Sequence, residues 1–144
     1  MRMLAAVVVA CAVLAGTVGG FAPPAAAQPP PGPPPVPVPE TSPDTPALMF
    51  VDEPAILDVR PMSPQAWSRT ADEHAVRLHF TSGIPECYGV TADVRETDDD
   101  VVVDLRTGTM PQAAGRACIA IAVSGGLDVP LQQPLGDRRV LSAT

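Results

Sequence analysis

His74 and His79 are the only two histidines in this chain of 144 residues. A zinc site needs three or four converging ligands. The spacing of the two puts them on opposite faces of a continuous strand, and no cysteine is free to join them, so no metal site is expected. His79 reads as a solvated strand residue. Asp98, Asp99 and Asp100 form the one dense carboxylate cluster. The spaced acids, central glycine and closing glutamate of a calcium loop are missing. The cluster is read as a charged hairpin tip that discourages aggregation. Ser124 precedes Gly125 and Gly126, but a nucleophile elbow needs a following helix. No catalytic residue and no cofactor are therefore expected.

Cysteine chemistry gives the firmest expectation. Of three cysteines, Cys11 lies in an apolar leader and is lost with it, which leaves Cys87 and Cys118. Two cysteines in an exported chain favour a disulfide, and they allow one intramolecular connectivity. There is no Cys-x-x-Cys, which argues against a redox role. Two residues stand out as candidate contacts with a partner. Trp67 sits among polar neighbours and is the better interface candidate, with burial against a sheet as its alternative. Arg138 follows Asp137. It is read either as part of a tight turn pairing to an acid such as Asp93 or Asp104, or as an exposed partner contact.

The elements that would hold these residues are strands. Residues 75–81 alternate, with Val76, Leu78 and Phe80 on one face and Arg77, His79 and Thr81 on the other. Tyr88, Val90, Ala92 and Val94 share a face, residues 97–100 turn, and Val101, Val103 and Leu105 return, which is an antiparallel hairpin. Residues 55–60 make a further short strand. Residues 117–123 are a nearly continuous apolar run and read as a central buried strand. Gly125 and Gly126 then read as a turn, with short strands at 127–131 and 139–141. Pro130 and Pro134 place those last strands at an edge. The fold class is all-β: a small antiparallel sandwich or partial barrel with one disulfide.

The rest of the chain organises around residues 47–144. Residues 1–27 read as a signal peptide. Arg2 supplies the positive start, an uncharged apolar run follows, and Ala25, Ala26 and Ala27 place cleavage after Ala27. Retention as an uncleaved anchor and lipidation at Cys11 are the alternatives; with cleavage, no stable membrane span remains. Residues 28–46 are a proline-rich linker. Proline lacks an amide donor, so this stretch is expected as a disordered, extended arm of about 3.1 Å per residue, outside any sheet.

Charge narrows the partners. All nine basic residues are arginine, and 16 acids give a net charge of −7. An acidic chain with no basic cluster repels nucleic-acid phosphates. The chain is too short for a TIM barrel or a doubly wound nucleotide-binding domain.

A resemblance rests on residues 83–90 (Gly-Ile-Pro-Glu-Cys-Tyr-Gly-Val), on Glu96-Thr97, on Cys118, and on Val129-Pro130-Leu131 leading into Pro134-Leu135-Gly136-Asp137-Arg138. Over roughly residues 72 to 142 the chain resembles a small, uncharacterised exported domain of actinobacteria, described as secreted or lipoprotein. The resemblance implies an exported β domain with one disulfide and implies no activity. The expected function is a non-enzymatic secreted or cell-envelope domain that contacts an envelope protein or a cell-wall partner. A small secreted hydrolase or metal-dependent enzyme and an extracellular ligand carrier are the alternatives.

Overall fold

The computed structural model describes residues 32–144. The expected signal peptide, Cys11 and the first residues of the proline run lie outside them. The strands are β1 (Val36–Pro37), β2 (Leu48–Phe50), β3 (Leu57–Pro61), β4 (Ala66–Arg69), β5 (Ala75–Ser82), β6 (Tyr88–Glu96), β7 (Asp100–Thr109), β8 (Val123–Pro130) and β9 (Arg139–Ser142). A single 3-10 turn, Pro111–Ala113, interrupts them. Among the described residues there is no α-helix, and no helix long and apolar enough to cross a membrane.

Two sheets form. In the first, β6 and β7 are the expected hairpin, with Ala92 opposite Leu105 and Val94 opposite Val103. The other side of β7 is shared: β9 runs parallel along its first half, and β3 runs antiparallel along its second. β1 pairs with the far side of β9. The second sheet runs β2-β8-β5-β4. Its centre is the antiparallel pairing of β5 with β8, with Leu78 opposite Leu127. The β2/β8 and β7/β9 pairs are parallel, so the layers are mixed.

Alternation dictates what lies between the sheets. Val76, Leu78 and Phe80 of β5 and Leu127 and Val129 of β8 face Val90 of β6 and Val101, Val103 and Leu105 of β7, all buried. Phe50 meets Phe80 edge to face at 5.3 Å between ring centres. The other members of the core are aliphatic apart from Trp67, as the scarcity of aromatics requires.

Three expectations are corrected. Residues 117–122 carry no strand, and Ile119 and Ile121 are more than half exposed. The strand begins instead at Val123 and runs straight through Gly125 and Gly126. A side chain at Gly125 would overlap the Phe80 ring, so glycine here serves the aromatic pair and not a turn. The last strands are also internal. β8 lies between β2 and β5, and β9 lies between β1 and β7. Pro130 is tolerated because β2 accompanies only residues 125–127, so no donor is needed at its position.

The third correction concerns the proline-rich stretch. Its second half is part of the fold. Val38 is buried and its amide donates to Val140 O at 3.0 Å. The chain then crosses to the second sheet, where the Trp67 amide donates to Pro39 O (2.9 Å) and the Thr41 amide donates to Trp67 O (2.7 Å). Residues 42–47 pass to the opposite edge of that sheet, where β2 joins β8. Beyond β2, the Glu53 amide donates to Val90 O (2.9 Å) and the Ala92 amide to the Asp52 carboxylate (3.1 Å), which reaches β6 of the first sheet. Residues 36–53 thus lace the two layers together along both open sides. Pro37 and Pro39 fit because they lie at the outermost position of each sheet, where a missing donor costs nothing.

Candidate interaction surface

Neither expected contact residue is freely exposed: Trp67 is buried and Arg138 is half-buried. Trp67 is 5% exposed, and its indole Nε1 donates to Val38 O at 3.1 Å. The Arg69 guanidinium lies 5.6 Å from the ring centre. Arg138 points inward. Its guanidinium reaches Glu96 at 2.8 Å and donates to Gln133 O (2.7 Å), Pro134 O (2.8 Å) and Leu135 O (3.3 Å). The partner is Glu96, at the end of β6, and not Asp93 or Asp104. Glu96 also accepts from the Gln132 and Gln133 amides (2.7 and 3.2 Å). Burial alone would raise the Glu96 carboxyl. The Gln132 amide, Arg138 and the Gln133 amide outweigh it and hold the carboxyl below its ordinary value.

The other chemistry-bearing residues are scattered. His74 sits in a turn, with its amide on the Asp72 carboxylate (2.9 Å). His79 is 7% exposed rather than solvated, and its Nε2 lies 2.8 Å from Ser68 Oγ. Ser124 is exposed on β8. Asp100 is bound by Arg139 through two hydrogen bonds (2.7 and 3.0 Å), so the acidic tip is anchored at one end. Among the described residues no three metal-ligating side chains converge.

What the surface does offer lies beside the disulfide. Cys87 and Cys118 are joined, with their Cα atoms 6.2 Å apart. Cys87 closes the turn before β6, where its amide donates to Ile84 O (3.0 Å) and its carbonyl accepts from the Met110 amide (2.9 Å). After the 3-10 turn, the Arg116 amide closes on Ala113 O (3.0 Å), and Gly115 takes φ +72°, a conformation open to glycine. The chain then runs through residues 117–122 to β8. Every residue of that run except Cys118 is exposed, with Ile119 at 57% and Ile121 at 52%. Among the described residues its backbone makes no backbone hydrogen bond. From 117 to 127 the sequence holds no charge.

The disulfide fixes one end of this run and β8 fixes the other. Next to Cys118, a shallow cleft is lined by Leu57, Asp58, Tyr88 and Thr109. Leu57 and Val59 of β3 add exposed apolar surface at 43% and 47%. β3 bends here. Asp58 has φ +51° and the pairing with β7 shifts between Leu57 and Arg60. Gly108 permits the bend, since a side chain there would overlap the Leu57 carbonyl. An uncharged, exposed segment whose amides and carbonyls make no backbone hydrogen bond is suited to pairing with another strand. Sequence reasoning missed it because the same apolar pattern describes a buried strand.

No protein-family model, no curated protein and no solved structure matches this chain. The Cys87–Cys118 disulfide fits an oxidising compartment.

Proposed function

We propose that this chain is an exported, non-enzymatic β domain of the secreted or cell-envelope space that works by contacting an envelope protein or cell-wall partner. The observation that carries the reading is the exposed, uncharged run at residues 117–122, pinned at Cys118 and open along its backbone. Folded domains seldom leave such a segment uncovered unless something covers it in use. The leader expected at residues 1–27 and the disulfide support export. The net charge of −7 argues against nucleic acid as the partner. Recognition is assigned to residues 117–122 together with Leu57 and Val59, because Trp67 and Arg138 are turned inward.

The test pairs localisation with binding. Fractionation and N-terminal sequencing in the native host should find the chain outside the cytoplasm, beginning at Gln28. The oxidised protein and an Ile119→Asp/Ile121→Asp variant are then used as baits on envelope extract. A component retained by the parent and lost by the variant supports the reading. Cytoplasmic location of the chain, or equal retention by both baits, overturns it.

A further inference from the structure

Ser68 and His79 point to the outer face of the second sheet, yet Ser68 is fully buried and His79 is 7% exposed. Alternation puts both there: Ser68 pairs with Arg77, and Ala66 pairs with His79, opposite in sense to the core pair of Trp67 and Leu78. Something must therefore cover an outward face, and the topology says what does. The chain leaves β4 at Thr41 and joins β8 at Leu48, so residues 42–47 must cross the sheet between. They cross on the outer side. Gly126, directly opposite His79, is closely covered, since a Cβ there would come to 3.0 Å from Ala47 Cβ. Along this strap Thr41, Thr45 and Ala47 are half-buried, while Ser42, Pro43, Asp44 and Pro46 are exposed. The Thr41 and Thr45 hydroxyls share a hydrogen bond of 3.1 Å.

We infer that the buried Ser68–His79 pair is an acid-sensitive latch, and that protonation of His79 releases the strap at residues 41–47 from the outer face of the second sheet. A neutral imidazole is compatible with the closed state, because its Nε2 needs only the Ser68 hydroxyl at 2.8 Å. An imidazolium is disfavoured there, because most of its ring is withdrawn from water and its hydrogen-bond partner Ser68 offers no counter-charge. The charged neighbours on this face are Arg77 of β5 and Asp128 of β8, which pair with each other at 2.6 Å. On the strap the one charged residue is Asp44, which is exposed. β4 contributes Ser68 to this face, and β2 carries no charge. Burial foremost, and Arg77 next, lower the His79 imidazole from its ordinary value, against the opposing pull of Asp128. The proton is thus held more tightly by the open state than by the closed one. Acid favours opening as pH falls from about 6.5, the value for a solvated imidazole, to the lowered value of the closed state.

The experiment is amide hydrogen exchange on the full oxidised chain at pH 7 and pH 5, corrected for intrinsic chemical rates. Opening at the Thr41 and Thr45 amides is compared with that at Leu78 in the core. The expected result is a selective rise on the order of tenfold in the strap, with a ceiling of about twenty-five-fold between pH 7 and pH 5 set by a solvated imidazole. His79→Gln should reduce the rise to less than about twofold, while Asp44→Asn should leave it intact. A strap that does not respond in the parent, or that responds equally in His79→Gln, overturns the inference. Should His79→Gln not fold, nuclear magnetic resonance titration of the parent decides. An imidazole that titrates below 6.5 together with the strap resonances supports the latch. One that titrates at or above 6.5, or without them, overturns it.

Discussion

The indole of Trp67 donates to the carbonyl of Val38 at 3.1 Å, so the only tryptophan of the chain fastens a proline-rich segment to the sandwich. The same residue holds Pro39 and Thr41 through its backbone. A chain beginning at residue 47 would lose β1, the burial of Val38 and all three of these bonds. At about 1 kcal/mol per bond and about 1.5 kcal/mol for the valine, the loss is at least about 4 kcal/mol. Thermal unfolding should then occur more than about 15 °C below that of a chain beginning at residue 32. Coincident melting curves would show that the lacing carries no stability.

How much of this was readable beforehand differs by element. The β5 alternation and the β6–β7 hairpin were legible because one face of each is apolar and the other polar. The disulfide followed from a cysteine count. Residues 117–123 misled because apolar continuity cannot separate a buried strand from an exposed run awaiting cover. The glycines at 125 and 126 misled because space for the Phe50–Phe80 pair, and not a turn, explains the first of them. Residues 36–41 misled because proline is excluded from the middle of a sheet but not from its outermost position. The pairing of Glu96 with Arg138 was not legible, since 42 residues separate them in sequence.

Arg138 is the hinge pin of the segment between β8 and β9. Its side chain is 9% exposed and that of Glu96 13%. Replacing Arg138 by leucine leaves the carboxylate on two amides without its counter-charge, and leaves the Gln133 and Pro134 carbonyls without a donor. The expected loss is about 2–3 kcal/mol in urea unfolding. The pH dependence has a definite sign. The folded Glu96 carboxyl lies below its ordinary value of 4.5, so its contribution is complete above that value and is lost as pH falls through the lowered one. The parent should therefore lose stability more steeply below pH 4.5 than Glu96→Gln does. Parallel pH profiles would contradict the assignment.

The disulfide joins residues 31 apart in sequence and ties the turn before β6 to the lead into β8. Closing a loop of that size removes chain entropy from the unfolded state worth roughly 3–4 kcal/mol. Cys87→Ser/Cys118→Ser should unfold at a markedly lower urea concentration than the oxidised parent. Because the cysteines lie outside the strands of the core, the folded double variant should keep the parent's far-ultraviolet circular dichroism. An unchanged urea midpoint would mean that the bridge does not constrain the unfolded chain.

Gly125 and Gly126 are neighbours on β8 that face opposite sides of one sheet, so alanine at each asks a different question. At Gly125 the added methyl would overlap Phe80 and come within 2.9 Å of Phe50. Both rings are buried in the core, where little space is left for them to move aside. Overpacking of this kind costs about 1–3 kcal/mol. At Gly126 the methyl meets Ala47 and the Met49 sulfur, each at 3.0 Å. Those atoms belong to the strap and to an exposed edge strand, which can yield by a small shift, so the global cost should stay below about 1 kcal/mol. The strap, however, should be displaced. Gly125→Ala is expected to lower the urea midpoint while leaving local opening at Thr41 and Thr45 unchanged. Gly126→Ala is expected to do the reverse, with faster exchange in the strap at nearly unchanged midpoint. If the two substitutions had the same effect on both measurements, the opposite roles given to the two faces of β8 would be wrong.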